Sequence, residues 1–148
     1  MNYKHRVLLF ILLTLAPFAS HAQGPSVSAS GVWIREAPPG VEVLAGYLVL
    51  TNHTDTALTL TGVISPDFGS VAVHQSVRRD GQDGMQPVPH FVIPAHQSVT
   101  LAPGGYHLML MKPAKRLFDG DLVTLTLDFS DGSSLAIMAP VRREPPAH

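Results

Sequence analysis

Val123, Leu125, Leu127 and Phe129 alternate with Thr124, Thr126 and Asp128. A period of two gives a strand one apolar and one polar face. Leu58 and Leu60 alternate with Thr59 and Thr61 in the same way. Residues 47–51, 70–74, 98–101 and 134–139 read as further strands, and 31–35, carrying Trp33, as the first. Turn signals separate them: Pro38-Pro39-Gly40, Asp83-Gly84, Pro103-Gly104-Gly105, Asp119-Gly120 and Asp131-Gly132. Asp-Gly between alternating runs predicts a hairpin. No window keeps a helical period over three turns, and residues 112–117 hold at most one helical turn. The pattern predicts an all-β single domain, a Greek-key β-sandwich or small barrel.

The two ends depart from this pattern. Lys4 and Arg6 precede an apolar run over residues 7–19, and Ser20-His21-Ala22 fits a small-x-small cleavage site. That run is too short for a membrane-spanning helix, and no second run is long enough. Residues 1–22 are therefore expected to be a cleaved secretory signal, which leaves no membrane span in the mature chain. Residues 23–30 read as a polar lead-in, 31–141 as the β domain, and 142–148 as a short Pro-containing tail.

Composition removes several function classes. Cleavage takes Lys4 and Arg6 and no acid, leaving 8 basic against 11 acidic residues, a net charge of −3. No basic patch supports nucleic-acid binding. There is no cysteine, so disulfides, thiol redox chemistry and thiolate metal ligation are excluded. A blue-copper electron-transfer site needs a Cys thiolate and is excluded with them. No HExxH, phosphate loop or motif-supported Ser-His-Asp arrangement points to catalysis. The chain reads as a non-enzyme.

One constellation stands out. His107-Leu108-Met109 puts an imidazole and a thioether on the same face of a strand. Upstream lie His74 and Met85, giving His-x10-Met-x21-His-x-Met. Two neutral nitrogens and two neutral sulfurs form a soft donor set suited to Cu(I). Alone, Met109 in an apolar run is ordinary core filler. Met85 follows a polar, Gly-containing stretch and lacks that context.

This spacing resembles the signature of the periplasmic copper chaperone family PCu(A)C. Ile93-Pro94-Ala95, the run Pro103 to Met111, and the strands around Asp119-Gly120 and Phe129 resemble family segments as well. The family often has Met after the first His; Gln75 stands there instead. The resemblance covers residues 31–141 and implies a cupredoxin-like fold with His74, Met85, His107 and Met109 as Cu(I) ligands. It also implies a periplasmic carrier that loads the Cu(A) site of cytochrome c oxidase, with oxidase subunit II or a Sco-type protein as acceptor. A copper-buffering resistance protein and a β-sandwich interaction module without metal are the alternatives.

The remaining candidate residues carry weaker signals. Met111 shares the His107 and Met109 face, as packing or as a substitute ligand. His90 and His96 are off-pattern; His90, five residues past Met85, is a candidate to approach the metal or to serve an adventitious Cu(II) site, and the tail offers only His148. Trp33 and Met138 read as core, and His53 as solvated. Asn52-His53-Thr54 is formally a glycosylation sequon.

Overall fold

The computed structural model describes residues 24–146. Its ten strands are β1 (Val27–Arg35), β2 (Val43–Asn52), β3 (Leu58–Ile64), β4 (Phe68–Arg79), β5 (Gln82–Pro87), β6 (Phe91–Ile93), β7 (Ser98–Leu101), β8 (Tyr106–Pro113), β9 (Leu122–Phe129) and β10 (Ser134–Arg142). Among the described residues there is no helix. The sheet order is β5-β4-β8-β2-β1-β10-β9-β3-β6, and β3 also pairs with β4. That last pairing, Val63 opposite Val71, closes a seven-stranded barrel of β4, β8, β2, β1, β10, β9 and β3. Closure removes open edges from the ring. β5, β6 and β7 are attached outside it, on β4, β3 and β2. β1 and β10 run parallel, and the other neighbours are antiparallel.

Alternation builds the interior. Ile34, Leu50, Leu110, Val123, Leu127 and Val141 have no exposed surface, and Leu108 and Leu125 are 1% exposed. Each fully buried Leu or Val contributes about 1.5–3 kcal/mol by leaving water. β2 needs Gly46, which pairs with both Ile34 and Leu108. A Cβ there would lie 3.1 Å from Leu110 Cδ1 and 3.3 Å from Leu108 Cβ.

The expected strands are present, several of them longer than the sequence pattern suggested. β1 begins at Val27, inside the stretch read as a lead-in, because Val27 is buried and pairs with Asn52. A bulge at Gly31, with φ of 58°, lets the strand continue past it. The hairpin expected at Asp83-Gly84 turns instead at Asp80–Gly81, where both residues have positive φ, 51° and 78°. That is the left-handed pair a tight two-residue hairpin requires. Asp83 and Gly84 lie in β5, and Met85 is therefore a strand residue, not a loop residue. The helical turn allowed for residues 112–117 does not form: Lys112 and Pro113 end β8, with Lys112 at φ 55°. Met138 is 54% exposed and not core. It falls on the outer phase of β10, where Thr124 Oγ1 donates to its sulfur at 3.3 Å.

Asn52 is 1% exposed. Its Nδ2 donates to the Thr56 and Ile93 carbonyls at 2.8 and 3.0 Å, and its Oδ1 accepts from Thr54 N at 2.9 Å. The sequon nitrogen is thus buried and committed in the folded protein. The expected signal, residues 1–22, and His148 lie outside the described residues. No helix among the described residues is long and apolar enough to cross a membrane.

Candidate metal centre

β8 carries structure on one face and donors on the other. Leu108 and Leu110 point into the barrel; His107, Met109 and Met111 therefore point outward. On β4, Val73 is buried inside and His74 points outward with Ala72 and Ser76. Register then fixes the neighbours. His74 is directly opposite His107, and Ala72 is opposite Met109. On the far side of β8, Ala45 is opposite Met109. On the far side of β4, Met85 is opposite Ser76. Directly opposed residues share a face. His74, Met85, His107 and Met109 therefore all lie on the outer face of β5-β4-β8. The two histidines form the middle row, with Met85 one step to one side along the strands and Met109 one step to the other.

The imidazoles are 6.2 Å apart between ring centroids, with planes inclined by 26°. Each Nδ1 is within hydrogen-bonding range of the backbone carbonyl two residues before it. His107 Nδ1 lies 3.3 Å from Gly105 O, and His74 Nδ1 lies 3.4 Å from Ala72 O. A carbonyl only accepts, so these contacts assign the proton to Nδ1 and leave Nε2 with a free lone pair. Metal-binding histidines are oriented in this way. His107 is 4% exposed although it faces outward, and its Nε2 is buried with no hydrogen-bond partner. A buried acceptor left unpaired calls for an explanation. A metal on that lone pair would satisfy it.

The thioethers are held differently. Met109 is half-buried between two alanines, which leave room for its long side chain. Met85 is 59% exposed. Met111 is half-buried on the same face, opposite Val43 and Ser70. Gln75, standing where the copper-chaperone pattern often has Met, faces the other way, opposite Tyr106. His90 is exposed, His96 is bonded to Asp55 Oδ1 at 2.6 Å, and His53 to Ser28 Oγ at 2.7 Å. Among the described residues no group of three or more His, Cys, Asp or Glu gathers. A site of three or four side-chain ligands on this surface therefore draws on the methionine sulfurs. No carboxylate pairs with His74 or His107 among the described residues. The sequence reading singled out these four residues, which the register places on one face. It missed Ala45 and Ala72 as flanking small residues, and the carbonyls of Ala72 and Gly105 as orienting groups. Those roles appear only when neighbouring strands are aligned.

The closed barrel and its outward His/Met face define a cupredoxin-like domain with a soft donor set. The chain belongs to the family described as "Putative lipoprotein LpqE-like", whose model matches residues 27–141. "Putative lipoprotein Lxx21020" of Leifsonia xyli subsp. xyli is 36% identical over 142 residues, covering 89% of this chain and 84% of that protein. Among solved structures, the copper-bound PCuAC domain from PmoF2 superposes with a TM-score of 0.68 at 27% identity, covering 80% of this chain and 94% of that one. CuI-DR1885 from Deinococcus radiodurans gives 0.63 at 32% identity, covering 81% and 78%. The resemblance to the PCu(A)C family is borne out by these likenesses, as is the cupredoxin-like all-β fold.

Proposed function

We propose that this chain is a Cu(I)-binding metallochaperone with His74, Met85, His107 and Met109 as ligands. The observation that carries the reading is His107: a buried, outward-facing imidazole with an unpartnered Nε2, opposite a second imidazole with the same orientation. Its nearest outward neighbour along β8 is a thioether. Copper on the solved relatives supports the choice of metal, and soft neutral donors favour the reduced ion. A site of four neutral ligands leaves the +1 charge uncompensated and binds more weakly than a thiolate site. Copper then moves downhill to a Cys-rich acceptor by ligand exchange. The Cu(A) site of cytochrome c oxidase, reached directly or through a Sco-type protein, is the acceptor we propose. The place of action is the periplasm, after cleavage of residues 1–22.

The test is a Cu(I) titration against a chromogenic chelator, followed by mixing with apo oxidase subunit II. One tight equivalent, lost in His107→Ala and passed to the apo subunit, is the expected result. Tight binding without transfer would assign the protein to copper buffering. No stoichiometric binding would overturn the metal reading and leave an interaction domain.

A further inference from the structure

The fold holds the four donors with very different firmness. His107 and Met109 lie two residues apart on β8, which is paired to β4 on one side and β2 on the other. His74 lies on β4, paired to β5 and β8. The backbones that carry these three donors can move only if the barrel wall moves. Met85 lies on β5, at the end of the sheet order, and β5 pairs only with β4 among the described residues. None of its six residues is buried. The hairpin's side-chain ties are an Arg78–Asp83 contact of 3.7 Å between exposed side chains, Arg79 donating to Gln86 at 3.2 Å, and Gln86 donating to Gln75 at 3.4 Å. Exposed pairs of this kind hold little. Segments with few buried apolar contacts and solvent-exposed backbone bonds open most easily.

Position adds to this. Met85 is opposite Ser76, two residues beyond His74 on β4, so its Cβ is a diagonal neighbour of the His74 Cβ at about 7–8 Å. Its thioether can turn toward the His74 imidazole through three rotatable bonds and can swing away through the same bonds. The free edge of β5 lies beside it and offers unpaired backbone groups to an incoming extended segment.

We infer that Met85 is the exchange arm of the site: the ligand an acceptor displaces first, its sulfur donor entering over the free edge of β5, while His107 and Met109 release last. The inference rests on the copper-carrier reading above. The step is a substitution at copper. The Cu–S bond to Met85 breaks, and a Cu–S bond to a cysteine or methionine of the acceptor forms. Copper remains Cu(I) throughout, and an entering thiol gives its proton to solvent. No oxidant or reductant takes part.

The test compares wild type, Met85→Leu and Met109→Leu, each loaded with Cu(I). Transfer to bathocuproine disulfonate is followed by stopped flow, and amide exchange of residues 82–87 is measured with and without copper. Met85→Leu should keep one equivalent and release it about tenfold faster, since affinity differences among related complexes lie mostly in off-rates. Copper should slow exchange in β5 of the wild type and of Met109→Leu at saturating metal, but not in Met85→Leu. Met109→Leu should lose more affinity than Met85→Leu, because it removes an inner ligand. Wild-type release rates in Met85→Leu, or β5 exchange indifferent to copper in the loaded wild type, would overturn the inference while leaving the carrier intact. Absence of stoichiometric copper in the wild type would instead remove the carrier reading, and the inference with it.

Discussion

His107→Leu should make the copper-free protein as stable or more stable while removing its metal site. The magnitude follows from the surroundings of the imidazole. Nε2 is buried and unpartnered, and a buried polar atom without a hydrogen bond costs about 1–3 kcal/mol. Leucine removes that cost. It also removes the 3.3 Å contact from Nδ1 to the Gly105 carbonyl, which contributes about 0.5–1.5 kcal/mol. That carbonyl is not orphaned, because Ser76 N also donates to it at 3.0 Å. The net effect is about 0–2 kcal/mol in favour of the variant, or a rise of up to about 8 °C in melting temperature at about 4 °C per kcal/mol. His74 is only half-buried, so its unpaired Nε2 carries no comparable cost, and His74→Leu should stay within about 0.5 kcal/mol of wild type.

Urea unfolding of the copper-free proteins measures this, provided the slope is unchanged and only the midpoint moves. A Cu(I) titration of the same samples should show the single tight equivalent lost in His107→Leu. Destabilisation of that variant by more than about 1 kcal/mol would refute the reasoning. It would mean that the imidazole is an ordinary structural group and that its buried nitrogen is not held ready for a metal.

Four further outcomes are expected. Gly46→Ala should destabilise the barrel by about 1–3 kcal/mol, read by urea unfolding, because the new Cβ meets Leu110 and Leu108 at 3.1 and 3.3 Å. Asn52→Ala should cost about 2–4 kcal/mol in the same measurement, since it strands the Ile93 carbonyl and the Thr54 amide, while the Thr56 carbonyl keeps its bond from Thr54 Oγ1 at 2.9 Å. Arg143, donating to Glu36 at 2.9 Å, with the Asp119 amide beside it, holds the Glu36 carboxyl below its usual range. Such a group adds stability above its unfolded value of about 4.3, and the contribution is lost as pH falls through the lower folded value. Glu36→Gln should therefore lower the melting temperature slightly at neutral pH and flatten its fall on the acid side, so that the two proteins converge in acid. Copper affinity, measured against a chelator corrected for its own protonation, should weaken with acid in the wild type, because protons compete for both imidazoles.

The barrel strands were legible wherever a strand has one wet and one dry face. β9 is the clearest case, with Val123, Leu125 and Leu127 inside and threonines out. β5 was not legible because Gln82-Asp83-Gly84-Met85 has no dry face at all. It is a strand because β4 presents a partner edge and Asp80–Gly81 turns the chain tightly enough to use it. Asp83-Gly84 gives the usual turn signal, but the neighbouring Asp-Gly pair takes the turn and a strand overrides the second. Met138 was misread for the opposite reason: an apolar side chain counted as core, although Ala139 and Val141 hold the inward phase of β10 and leave Met138 outside. The four candidate donors were legible because their spacing is a property of the chain. Their shared face depends on the pairing of β5, β4 and β8, and His107's burial depends on what packs around it. Neither is written in any single segment.

The placement of the donors also explains how one short strand can serve packing and chemistry without conflict. On β8 the odd positions are His107, Met109 and Met111, and the even positions are the buried Leu108 and Leu110. The core side fixes the register, and register fixes which face the donors occupy. A slip of one residue would drive His107 and Met109 into the barrel and expose two leucines, each worth about 1.5–3 kcal/mol of burial. The leucines therefore hold the donors on the outside as firmly as they hold the barrel together. Because none of the four belongs to the apolar core of the barrel, they can be exchanged or replaced while the fold is kept. A carrier that must give up its metal gains from this separation: the coordination sphere can come apart at an acceptor while the barrel beneath it stays intact.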